Sequence, residues 1–148
     1  MKKEDNFDVY IKGRQIYDTE KSEIDLNTTG NYVQEGNIKY VYYHEYEEEN
    51  PSQMHTAILK VEPKRVTITH EDSASRLILE KGKRHLCHYD TGYGTMTMGI
   101  FTTDIVMDFN DCGGKMTLNY TLDIDSNLSS TNEVSIEVKR RREEDNIF

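Results

Sequence analysis

The densest set of chemistry-bearing residues in the chain is His85, Leu86, Cys87 and His88, which places three zinc-type ligands within four positions. Extended geometry counts against a metal site there. Alternation along a strand sends His85 and Cys87 to one face and His88 to the other. A tetrahedral centre would need two further ligands from neighbouring strands, with His70 and His55 the nearest upstream histidines. The same alternation separates Cys87 from His88, so the two cannot pair as nucleophile and base. The reading is of surface histidines around a half-buried thiol, with no metal and no cofactor.

Other clusters fare no better as catalytic groups. The acidic run Glu45–Asn50 lacks the spaced oxygens and glycine bend of a calcium loop, and fits a solvated hairpin end whose charge discourages edge pairing. Asp123 and Asp125 alternate on the polar face of a strand, where carboxylates serve solubility. The basic stretch Lys139–Arg142 is cancelled at once by Glu143–Asp145. Gly92 and Gly94 flank Tyr93 in a pattern that superficially suggests a phosphate cradle. Such a cradle opens a helix, however, and Thr95–Ile100 alternates as a strand, so these glycines read as a turn. No compact catalytic constellation emerges, and an enzyme is the least favoured class.

Tyrosine is the remaining signal. Tyr40, Tyr42, Tyr43, Tyr46, Tyr89, Tyr93 and Tyr120 exceed what a small core requires. Some can be packing material in a chain without tryptophan, while an inward row could line a cavity for a flat or amphipathic ligand. The candidate ligand-binding residues are Tyr43, Glu45, Thr56, Tyr89 and Tyr93. Tyr43 and Glu45 are two apart and share a strand face. Tyr89 and Tyr93 bracket a rim turn, and Thr56 lies near the start of the strand after the Glu45–Asn50 hairpin. Should that face point inward, Glu45 needs hydroxyl donors or a cationic ligand, or stays protonated. The opposite register turns Ile38, Tyr40, Tyr42 and Tyr46 inward and leaves Glu45 in water; the count of apolar residues slightly favours it.

The elements that must position these residues are strands. Alanine occurs only at Ala57 and Ala74, while threonine, valine, isoleucine and tyrosine abound, a composition suited to pleated, half-buried surfaces. Period-2 alternation recurs from Phe7 to Val138, most cleanly over Met116–Ile124. Similar segments are Glu23–Val33, Ile38–Glu48, Met54–Val61, Arg65–His70, Arg76–Glu80, Arg84–Tyr89, Thr95–Phe109 and Glu133–Lys139. Pro51 and Pro63 fall in connectors, where a missing amide donor does no harm. The apolar set changes parity between Met96, Met98 and Ile100 on one side and Phe101, Ile105, Met107 and Phe109 on the other. This predicts a bend at Gly99, with a similar one at Gly13. Ser126–Asn132 is the longest irregular piece, and the tails Met1–Asn6 and Arg140–Phe148 look frayed. The fold expected is a single all-β domain over residues 1–148, an antiparallel up-and-down barrel of about eight to ten strands with its core at residues 7–139.

Composition narrows the partners. The 148-residue chain carries a net charge of -9, which excludes a phosphate-coating nucleic-acid binder. Its longest apolar run is Tyr40–Tyr43, far short of the ~20 residues of a membrane helix. No secretory signal is visible, and Cys87 and Cys112 sit in no paired motif, which fits free thiols and a cytoplasmic location.

The segments Thr28–Gly30, Tyr40–Glu45, Thr56–Val61 and above all Tyr89–Thr103, with Gly113–Lys115 and the pair Leu118 and Tyr120, resemble the YwiB-like family. These are small proteins of unknown function from Gram-positive bacteria. The resemblance runs from about Phe7 to Lys139 and implies a calycin-type, lipocalin-like barrel; it brings no activity with it. The chain departs from the family at Thr69–Asp72, where an arginine-glycine pair is expected. The functional expectation is a non-enzymatic intracellular barrel binding a small apolar or amphipathic molecule in its mouth. The alternative is a filled barrel serving as a structural or interaction module, through an outer face or as a homodimer.

Overall fold

The structure, a computed structural model, describes residues 6–17, 19–46, 52–71, 76–90, 92–125 and 127–141, with the side chains of residues 89, 90, 128 and 129 excepted. Among the described residues ten strands follow one another without a helix: β1 (Phe7–Tyr17), β2 (Glu20–Glu35), β3 (Ile38–Tyr46), β4 (Met54–Val61), β5 (Arg65–His70), β6 (Arg76–Glu80), β7 (Arg84–Asp90), β8 (Thr95–Asn110), β9 (Gly113–Ile124) and β10 (Asn127–Arg140). All pair antiparallel in one sheet of order β6-β5-β4-β3-β2-β1-β10-β9-β8-β7. Consecutive strands are neighbours except β6 and β7, and β1 and β10 join the two halves of the sheet by pairing from Phe7 with Arg140 to Ile16 with Thr131.

The break in the ring falls in mid-chain, between β6 and β7. Gly82 takes a positive φ in the connector, and its amide donates to the Thr102 carbonyl at 2.8 Å, beside an isolated parallel bridge between Lys81 and Thr102. Glu80 ties the two sides together with its carboxylate, 3.0 Å from His85 Nε2, 3.2 Å from Arg65 and 3.3 Å from Lys83. The result is a nearly closed barrel that fits the calycin type.

One end of the lumen is solid. Phe7, Val9, Tyr32, Val41, Leu59, Val61, Val66, Met116, Leu118, Ile136 and Val138 are buried there. Each fully buried aliphatic side chain adds roughly 1.5–3 kcal/mol. Phe7 packs edge-on to Tyr32 at 5.5 Å between centroids, and Tyr32 stacks on Phe109 at 5.9 Å. This end is the floor. The other end, toward the β1–β2 and β9–β10 connections, is the mouth.

The strand boundaries agree closely with the alternation, but three local expectations need correction. The phase change in β8 occurs at Thr103, because the β8–β9 register shifts between Thr102 and Asp104 while the ladder runs evenly through Gly99. Gly99 is required for another reason: a Cβ there would collide with the Arg84 guanidinium and the Asp123 carboxylate, which pair across the outer face. Gly13 carries no bulge either, since β1 holds one register with both neighbours. The segment expected to be irregular at Ser126–Asn132 is mostly the start of β10, accommodated by a register shift between Leu128 and Ser130. At the tails, Arg140 belongs to β10 and the Arg141 amide bonds to the Asn6 carbonyl at 2.8 Å. The rest of both tails, and Glu47–Asn50 of the acidic run, lie outside the described residues.

Candidate functional site

Strand parity decides which side chains enter the mouth. In β3, Val41 and Tyr43 are buried, so Glu45 continues on their inner face while Tyr40 and Tyr42 stack together on the outer face, with centroids 6.4 Å apart. The register favoured by apolar count is therefore overturned. Gly30 helps to fix it. A side chain at Gly30 would strike the backbone carbonyl of Tyr42, so β2 and β3 approach closely where Gly30 faces Tyr43.

Three strands contribute one wall. Glu45 stands opposite His55 in the β3–β4 ladder, and Tyr43 stands opposite Ala57, which in turn faces His70 of β5. The short Ala57 side chain leaves room for His70 to reach across β4, and its Nε2 lies 3.1 Å from Glu45 Oε1. Both side chains are about a third exposed, as expected at a rim. The Tyr43 hydroxyl donates to Glu45. Burial pushes the Tyr43 phenol well above its ordinary range, and the Glu45 charge and hydrogen bond, with Tyr120 nearby, push it further. Tyr120 is likewise raised by burial.

Tyr120 of β9, near Tyr43, belongs to a second set of inward residues on β9, β10, β1 and β2. A cleft of about 190 Å³ is lined by Gly13, Gln15, Ile24, Tyr120, Asn132 and Val134, together with Arg14 and Ser22. Its polar groups are held in place. Gln15 Nε2 and Asn132 Nδ2 both donate to Ser130 Oγ, at 3.1 and 3.0 Å, and the Tyr17 hydroxyl donates to Gln15 Oε1 at 2.6 Å. Thr102 stands opposite Tyr120 in the β8–β9 ladder. Its hydroxyl and that of Thr28 are buried without a hydrogen-bond partner.

Of the five residues singled out from sequence, Tyr43 and Glu45 come together on the inner wall. Thr56 does not join them: it is on the outer face of β4, where its hydroxyl lies 3.4 Å from His44 Nδ1. Tyr93 is fully exposed in the turn between β7 and β8. The Tyr89 side chain lies outside the described residues. His70 was legible as a member of this wall, because it continues the inward parity of Val66 and Ile68. Ser130 and Asn132 were not, because they sit in the stretch whose pattern reads as a loop.

The cysteines and histidines of β7 alternate as strand geometry requires: Cys87 is buried, His88 is exposed, and Cys112 is exposed in the next turn but one. Both thiols are free. Among the described residues no three His, Cys, Asp or Glu side chains gather closely enough to hold a metal ion, and no helix is long and apolar enough to cross a membrane.

The chain is similar over 92% of its length to 92% of the crystal structure of the ywiB protein from Bacillus subtilis, with a TM-score of 0.79 at 18% sequence identity. At that identity the likeness concerns the fold. No curated protein matches the chain. A family model described as a domain of unknown function, DUF1934, matches residues 9–136, nearly the whole barrel. With that model matched over more than half of its length, the chain belongs to the DUF1934 family.

Proposed function

We propose that the protein is a non-enzymatic binding barrel that takes one small amphipathic molecule in its mouth. The observation that carries this reading is an inward carboxylate, Glu45, held by Tyr43 and His70, with Tyr43 near Tyr120, which lines a cleft of about 190 Å³. A lumen packed solid at one end and polar at the other suits a ligand with an apolar body and a polar head. The cleft is below the ~300 Å³ of ordinary drug-sized sites, so the ligand is small. No nucleophile with an adjacent base lines the described wall, which supports binding over catalysis.

The test is a two-dimensional NMR titration of the labelled protein with 1-hexanol, a small neutral amphiphile. Saturable shifts confined to amides of β1, β3, β5, β9 and β10 are expected. Val134→Phe, which fills the cleft, abolishes them while leaving the melting temperature within a few degrees. Shifts that never saturate, or that survive Val134→Phe, refute the reading.

A second reading has one observation in its favour. Leu86, Phe101 and Val106 are exposed on the outer face of β7 and β8, an apolar group that an interaction module would use. Sedimentation velocity separates the two: self-association abolished by Leu86→Ser, with no lumen binding, supports the interaction module.

A further inference from the structure

The mouth is electrically one-sided. Glu45 places a carboxylate on its inner wall. The cations that share inward parity, Lys39 and Arg140, lie at the floor end, where the Arg140 guanidinium sits 5.5 Å above the Phe7 ring. Arg14 touches the cleft but pairs with Glu133 at 3.4 Å. Among the described residues, no other lysine or arginine lines the cleft. Three buried hydroxyls lack partners: Tyr32 Oη and Thr28 Oγ1 toward the floor, where Thr28 stands opposite Val9, and Thr102 Oγ1, directly opposite Tyr120, which lines the cleft.

Building on the binding reading above, we propose that the ligand is a small organic cation, an ammonium carried on a short apolar body. The ammonium takes the place of the His70 imidazole on Glu45, whose other donor is the Tyr43 hydroxyl. An N⁺–H bond to a carboxylate is charge-assisted and roughly twice as strong as a neutral one. The body lies along Ile24, Val134 and the Tyr120 ring. A carboxylate-headed ligand of the same shape would meet Glu45 as a like charge.

The experiment compares three probes of equal length, hexylamine, 1-hexanol and hexanoate, by calorimetric or NMR titration at mildly alkaline pH. In the wild-type protein hexylamine binds about tenfold more tightly than 1-hexanol, and hexanoate binds most weakly. Glu45→Gln removes the roughly tenfold preference of hexylamine over 1-hexanol, and its melting curve shows that the variant is folded. Equal affinity of hexylamine and 1-hexanol for the wild type overturns the cation assignment while sparing the binding reading. So does hexanoate binding as tightly as hexylamine, or an equal loss of both probes in Glu45→Gln. Failure of all three probes to bind overturns the binding reading itself.

Discussion

Gly99 illustrates how a residue's role can be right in position and different in cause. The glycine is needed because the Arg84–Asp123 ion pair passes over it, with Arg84 Nη2 and Asp123 Oδ2 each 2.5 Å from where a Cβ would sit. Gly99→Val is expected to cost ~1–3 kcal/mol, read from urea denaturation. Because the obstacle is a movable side chain, the penalty should shrink when Arg84→Ala is added, giving a non-additive double-mutant cycle. Additive costs would place the strain in the backbone instead. At Tyr43 the prediction concerns alkaline pH. An ordinary tyrosine ionises near 10, whereas burial and Glu45 hold the Tyr43 phenol protonated well beyond that. The native state then keeps a proton that the unfolded chain releases, so stability is full below about pH 10 and falls as pH rises toward the native pKa. Denaturation midpoints between about pH 8 and 11 should show this decline, and Tyr43→Phe should make it shallower. An unchanged slope in Tyr43→Phe would remove Tyr43 as its source.

At the scale of elements, the seam between β6 and β7 differs in kind from every other strand junction. Elsewhere a backbone ladder joins neighbours, while here the joint rests on the Gly82 amide, the Lys81–Thr102 bridge and the Glu80 carboxylate among His85, Lys83 and Arg65. The hydrogen bond from His85, then Lys83 and Arg65, hold the Glu80 carboxyl below its usual range. Its contribution is therefore present above the ordinary carboxylate pKa and is lost as pH falls through the depressed native value. Native-state hydrogen exchange should show β6 and β7 opening first on acidification. Glu80→Gln should bring that opening to neutral pH, with β1 and β10 still protected. Uniform exchange across the barrel would show that the seam is no weaker than the ladders. Pattern reading meets its limit in β3. Tyrosines occupy both parities there, so alternation carries little contrast, and the inward choice of Tyr43 and Glu45 depends on Gly30 in β2 and His70 in β5.

Considered as a whole molecule, the barrel is a meander whose starting point has been moved. The ends of the described chain meet at Asn6 and Arg141, and the break lies at residues 81–83. A circular permutant that joins residues 6 and 141 through a short linker and opens at Gly82 would run β7 through β10 and then β1 through β6. Every neighbour in the sheet would then be a neighbour in sequence. Such a permutant is expected to fold cooperatively with a native-like circular dichroism spectrum. A permutant opened inside the β1–β10 pairing, at Gly13, should not. If both fold equally well, the β1–β10 ladder is not what closes the ring.

The sequence by itself determined the strands and most of their ends, because each strand buries one face and period-2 alternation records that burial residue by residue. Met116–Ile124 and the opposed faces of Cys87 and His88 are of this kind. Tertiary structure alone decided three further matters. The bulge at Thr103 lies among threonines that suit either face, so hydropathy could not locate it. The division of the lumen into a packed floor and a polar mouth arises from residues far apart in the chain, Phe7 with Tyr32 and Phe109 at one end and Glu45 with His70 and Tyr120 near the other. The candidate site has the same origin. Glu45 reaches His70 only because β3, β4 and β5 lie side by side with Ala57 between them, a juxtaposition set by strand pairing and invisible to any single stretch of sequence.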